Sequence, residues 1–217
     1  MKKNLIHALA LAFLLSASIS AHSVELSPNS IGGGNIPGTH RNVNFTTSDG
    51  NWTEVLWLPN SAREGDTINI SSSATYSSKL MMGNTNIPTG SITLYTGDYV
   101  RFRYGAGVWL ADAATSTPPN NGGPAVIPSS RGKINRFYIQ DGLWSPEITL
   151  PSGAADDSIQ LISSDAQWDA MISPYNVAAR NTPALRRGDT FVFKYNSAIQ
   201  KWEFLGNSTS YRSPRPY

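Results

Sequence analysis

The side chains in this sequence best suited to recognition chemistry are aromatic. Trp52, Glu54, Leu56 and Leu58 alternate with Thr53, Val55 and Trp57, so Trp57 falls on the strand face opposite Trp52. Tyr99, Arg101 and Arg103 alternate in the same way with Val100, Phe102 and Tyr104 and take the outward face. Tyr76 and Trp168 sit beside small polar residues near strand ends. An exposed ring flanked by polar groups can stack on the apolar face of a sugar while Ser, Asn and Arg reach its hydroxyls. If the strands carrying Trp57 and Tyr99 neighbour each other in one sheet, Trp57, Tyr99, Arg101 and Arg103 form a single aromatic and cationic patch. The competing expectation has Trp57 packed against another part of the chain.

Other chemistry is limited by composition. The chain has no Cys and three His, namely His7, His22 and His40. A thiol nucleophile, a disulfide framework and a Cys-ligated metal are excluded. A zinc site of the His-Glu-x-x-His kind needs two His one helical turn apart, and these three are spaced too widely to supply them. Asp156, Asp157 and Asp165 could supply a hydrolytic carboxylate pair, but they lie in polar turn sequences and read as turn formers. No catalytic residue, cofactor or metal is expected.

Residues 1–23 read as a secretory signal peptide: Lys2 and Lys3, an apolar run from Leu5 to Leu15, and small residues at Ala21 and Ser23. Without Lys2 and Lys3 the remaining 15 Lys and Arg balance 15 Asp and Glu. A neutral chain offers no basic face for nucleic acid. After cleavage no segment is long and apolar enough for a membrane helix. The expected location is secreted or extracellular.

The elements that must position these aromatics come from a duplication. Asp49-Gly50-Asn51-Trp52 returns 92 residues later as Asp141-Gly142-Leu143-Trp144, and Leu58-Pro59 as Leu150-Pro151. Tyr76 matches Trp168; then the offset slips to 91, and Gly97-Asp98, Phe102 and Tyr104 match Gly188-Asp189, Phe193 and Tyr195. Trp109 and Trp202 close the two units. Period-two alternation and turn pairs in both units predict an all-β chain of two tandem small β-sandwich domains of antiparallel strands, at 43–112 and 135–206. Residues 24–42 read as a loose arm, 113–134 as a Pro/Gly/Asn-rich linker and 207–217 as a frayed tail.

The string Asp-Gly-x-Trp, Leu-Pro, Ala-x-Tyr-Ser-Ser, Gly-Asp-x-x-x-Phe-x-Tyr and a final Trp resembles the non-catalytic β-sandwich module of StcE/TagA-like secreted metalloproteases, which cleave mucin-type glycoproteins. The first unit carries it at Gly50, Trp52, Leu58, Pro59, Ala74, Tyr76, Ser77, Ser78, Gly97, Asp98, Phe102, Tyr104 and Trp109. The second departs at Trp168-Asp169-Ala170. The resemblance implies a binding module without the protease, with glycoprotein or polysaccharide as the favoured partner. An alternative is a structural or oligomerising extracellular component that binds protein, and a carboxylate-dependent hydrolase comes third. The expected ligand-binding residues are Trp57, Tyr76, Tyr99, Arg101, Arg103 and Trp168.

Overall fold

The computed structural model describes residues 22–129, 132–179 and 181–208. The signal-peptide reading falls almost wholly outside them, as does the tail beyond Ser208. Among the described residues no helix is long and apolar enough to cross a membrane.

The first module contains β1 (Val24–Leu26), a short helix α1 (Pro28–Ile31), β2 (Asn42–Thr47), β3 (Val55–Trp57), β4 (Thr67–Ser72), β5 (Ser78–Met81), β6 (Ser91–Leu94), β7 (Tyr99–Gly105) and β8 (Val108–Ala111). The second contains β9 (Ala114–Ser116), β10 (Ala125–Val126), β11 (Ile134–Ile139), β12 (Glu147–Thr149), β13 (Ile159–Ser164), β14 (Met171–Ile172), β15 (Thr190–Asn196) and β16 (Lys201–Asn207). Each module pairs a five-stranded sheet with a three-stranded one. The orders are β1-β2-β4-β7-β8 with β3-β5-β6, and β9-β11-β13-β15-β16 with β10-β12-β14.

The fold is all-β, as expected, but the pairing is not uniformly antiparallel. β1, β2 and β4 run parallel, as do β3 and β5, β9, β11 and β13, and β10, β12 and β14. The chain alternates between the two sheets, leaving β2 for β3 and returning to the first sheet at β4. A strand that returns after a full circuit lies parallel to its predecessor. Short strands bounded by turns resemble hairpin partners in a sequence, and that similarity misled the expectation. Among the described residues, hairpins between named strands occur where each coil ends, at β5–β6, β7–β8 and β15–β16. Each circuit takes close to 25 residues, because Asn42 lies beside Thr67 and Asn44 beside Asn69.

The N-terminal arm and the linker also need correction. β1 lies within the arm and forms the edge of the first large sheet, while Asn35 bridges to Trp57. β9 and β10 fall in the linker and fill the same places in the second module. Both segments therefore begin a coil. Their Pro and Gly residues mark the corners of that coil. The first two tail residues are held as well: Asn207 ends β16, and the Ser208 hydroxyl donates to the Asn86 carbonyl at 2.8 Å.

Trp109 and Trp202 anchor the two interiors. Each is fully buried and donates its indole N–H, to the carbonyls of Pro59 and Pro151 respectively, both at 2.9 Å. Tyr104 and Tyr195 pack edge-on against them. The Leu-Pro repeat thus supplies the acceptor that lets a large polar-tipped ring be buried.

The modules share a core. β13 is buried at all six positions. Ile162 faces its own sandwich, whereas Ile134, Ile159, Leu161 and Val192 join the apolar cluster of the first module. The corresponding first-module residues are Asn42, Thr67, Asn69 and Arg101. One sheet face is therefore polar and open in the first copy, and apolar and covered in the second. At the rim Lys133, with a fully buried side chain, lies 3.3 Å from the Asp98 carboxylate, donates to the Asp156 carbonyl and sits over the Tyr95 ring. Burial lowers the Lys133 pKa, and Asp98 partly offsets that effect. Asp157 accepts from both the backbone N–H and the hydroxyl of Thr93.

Replacing Leu161 by Asn, the residue of its counterpart, puts an amide into this shared core. The expected cost is about 2–5 kcal/mol, as for other losses of a buried Leu. Urea denaturation should show a lower midpoint and two separable transitions in place of one. An unchanged midpoint would mean that the shared core contributes little to stability.

Candidate functional site

The aromatic site is built on the Asp-Gly-x-Trp turn. β2 ends at Thr47, and Ser48 and Asn51 exchange backbone hydrogen bonds across the turn tip. Gly50 occupies φ +78°, a left-handed conformation that glycine adopts without strain. The Asp49 carboxylate then clasps the next coil, accepting from the Thr75 backbone N–H at 2.7 Å and from its hydroxyl at 2.8 Å. This fixes Tyr76 beside Trp52, with ring centroids 5.7 Å apart and planes inclined at 47°. Tyr76 remains 69% exposed. The second module repeats the clasp: Asp141 accepts from the Gln167 backbone N–H at 2.8 Å, and Trp168, 66% exposed, stands beside the Trp144 turn. The indole nitrogens of Trp52 and Trp144 are buried without a hydrogen-bond partner.

The expected single patch of Trp57, Tyr99, Arg101 and Arg103 does not form. Trp57 belongs to the three-stranded sheet through β3, and the other three belong to the five-stranded sheet through β7. The two sheets are the opposite layers of the sandwich, so their outward faces look in opposite directions. Trp57 is 48% exposed, and its backbone is tied to Gly34 and Ile36. Gly34 is required there, since a Cβ atom would lie 1.9 Å from the Val55 carbonyl oxygen.

Tyr99, Arg101 and Arg103 occupy a separate polar face. The Tyr99 hydroxyl donates to Asn69, Asn69 donates to Asn44, and Asn44 donates to Glu25, at 3.0, 2.7 and 2.6 Å. This ribbon crosses β7, β4, β2 and β1. Arg101 pairs with Asp112 at 3.1 Å. The sequence reading missed the ribbon because its members are linked by the 25-residue circuit, which the longer duplication obscured. It also missed exposed Val126, Met171 and Tyr175 beside a groove lined by Pro124, Pro146 and Pro174.

The acids weighed for hydrolysis are all engaged in holding turns or neighbours. Asp156 accepts from the Ser197 backbone N–H, Asp157 pairs with Lys194, and Asp165 accepts from the Tyr138 hydroxyl. Hydrogen bonding, chiefly to the Ser197 backbone, lowers the Asp156 pKa. Among the described residues no three His, Cys, Asp or Glu side chains converge on one point.

The Thr75 backbone N–H, followed by the Thr75 hydroxyl, lowers the Asp49 pKa below its usual value. A lowered carboxyl pKa contributes stability above the unfolded value and loses it as pH falls through the folded value. The Trp52–Tyr76 pair should therefore keep its near-UV circular dichroism through pH ~4 and lose it only in more acidic solution. Asp49→Ala should lose that signal at neutral pH without unfolding the core. A signal insensitive to both treatments would show that the clasp does not hold the ring.

A comparison with the curated proteins gives no match. A solved structure described as a chaperone–substrate complex aligns with a TM-score of 0.75 and 34% identity. The alignment covers 82% of this chain and 32% of that one, so this chain spans about a third of its length. A crystal structure of a fragment of enterohemorrhagic E. coli StcE shares 30% identity over 34% of this chain and 63% of the fragment, with a TM-score of 0.30. The family model for the β-sandwich domain of metalloprotease StcE matches twice, at residues 40–113 and 132–204. The chain belongs to the StcE β-sandwich domain family and carries that domain in two tandem copies.

Proposed function

We propose that this chain is an exported, non-catalytic binding protein for glycoprotein or polysaccharide. The observation that carries the proposal is the duplicated aromatic turn, which leaves Tyr76 and Trp168 about two-thirds exposed at matching sites. In both copies an acid clasps the backbone before the ring. A ring held in this way loses little conformational freedom on binding, which favours stacking on a sugar face. Two sites on one chain can engage a repetitive glycan together, so weak single contacts add through effective concentration. Nothing in this mode requires a cofactor, and the neutral mature charge suits an uncharged ligand.

A second reading, docking of a protein partner, is favoured by the apolar surface of Val126, Met171 and Tyr175. The similarity to a chain from a chaperone–substrate complex agrees with it.

The two readings separate in a surface-binding assay using residues 22–217, immobilised mucin and its enzymatically deglycosylated form. The glycan reading expects binding to intact mucin, little binding to the stripped form, and at least a tenfold loss in the Tyr76→Ala/Trp168→Ala double variant, about 1.4 kcal/mol or more. Equal binding to both forms, lost on Met171→Asp instead, would favour protein docking. A folded double variant that binds like wild type would remove Tyr76 and Trp168 as the site.

A further inference from the structure

The two modules act as internal controls for each other, and they differ at one end of the sandwich. In the first module Leu26, Val43 and Ile68 lie on adjacent strands β1, β2 and β4 and close that end with apolar side chains. Val43 and Ile68 are buried in the core, and Leu26 packs against it. Strand register places Ser116, Asn135 and Gln160 at the same three positions of the second module. All three apolar residues have become polar, and the three replacements line one cavity of about 500 Å³.

The first module supplies part of the cavity wall through Tyr99, Arg101 and Asp112. Gln160 is fully buried. Its amide nitrogen donates to the Leu161 carbonyl at 3.0 Å, and its Oε1 has no partner. An orphaned buried acceptor costs about 1–3 kcal/mol. The fold does not require it, since Ile68 fills the same place in the sister module. A local cost with no structural return is characteristic of a functional position.

We propose that this cavity between the modules is a binding site for a single sugar residue. Gln160 Oε1 is closed to solvent, and a turn of its side chain toward the cavity lets it accept from a ligand hydroxyl or acetamido N–H. Ser116 and Arg101 offer further hydrogen-bonding groups, Asn135, whose amide nitrogen donates to the Gly132 carbonyl, lines the same polar side, and Val100, Ile127 and Ile134 line the apolar side. The volume lies within the range of about 300–1,000 Å³ usual for small-molecule sites. The mixture of amide, hydroxyl and guanidinium groups with a few apolar walls suits a polyhydroxylated ring. The choice of a sugar rests on the glycan-binding reading above; the polar conversion of the cavity does not.

The test uses residues 22–217 and free galactose, glucose, N-acetylgalactosamine, N-acetylglucosamine and glucuronic acid, read by saturation-transfer NMR and calorimetric titration. At least one of these sugars should bind wild type. Gln160→Ile should weaken that binding by about tenfold or more, while raising the thermal midpoint because the orphan acceptor is gone. Gln160→Met, close in volume to glutamine, reads the same loss if the branched residue disturbs packing. The cavity site is read in the Tyr76→Ala/Trp168→Ala background: monosaccharide binding that persists there and is lost on adding Gln160→Ile belongs to the cavity, and binding lost in the aromatic double variant alone counts against it.

The proposal is overturned if none of the sugars binds at millimolar concentration. It is also overturned if folded Gln160→Ile and Gln160→Met both bind like wild type. Mucin binding that is lost in the aromatic double variant, with no monosaccharide bound, would sink the cavity and leave the aromatic site standing. Loss of both kinds of binding would sink both.

Discussion

Burial of β13 on both faces is the constraint on which the rest of the molecule depends. A strand in a two-layer sandwich normally shows one face to its core and the other to water. Here Ile159 and Leu161 turn away from their own sandwich and join the core of the first module. The strand reads Ile-Gln-Leu where its counterpart β4 reads Thr-Ile-Asn. This inversion fastens the modules together and places Gln160 inside. The interface and the cavity are two consequences of the same three residues.

The alternating path of the chain explains the remaining geometry. Because each circuit crosses both layers, the side chains of successive circuits stack in register. Asp49 can then reach Thr75, Asn44 can reach Asn69, and the indole of Trp109 can reach the Pro59 carbonyl. These contacts are short-range in the sheet and medium-range in sequence. They hold a cysteine-free fold together through packing and backbone-directed hydrogen bonds. The same path separates Trp57 from Tyr99, which is why a patch that looks continuous along the sequence is divided between opposite surfaces.

The duplication also shows which residues the fold requires. Trp109 and Trp202, with their Pro acceptors, occur in both copies and complete each interior. The Asp clasp and its exposed ring also occur in both, although no packing demand keeps Tyr76 or Trp168 large. Positions that differ between the copies mark where the modules took separate roles: an open polar sheet face on one, an apolar joint and a polar cavity on the other.

Much of the architecture was legible in the sequence. The repeat, the period-two strands, the turn glycines and the buried aromatic pairs all follow from local spacing, and local sterics enforce each of them. The exposed rings Tyr76 and Trp168 were legible too, because they stand beside turn residues that cannot cover them. Strand direction was not. Parallel and antiparallel neighbours share the same alternation, and only the route between layers distinguishes them. The arm and linker were misread because turn-rich composition marks coil corners as readily as loose chain. The shared core and the cavity were decided by tertiary structure alone. Whether an outward Ile or an inward Gln is a defect or a contact depends on what lies against it, and here that neighbour is the other module.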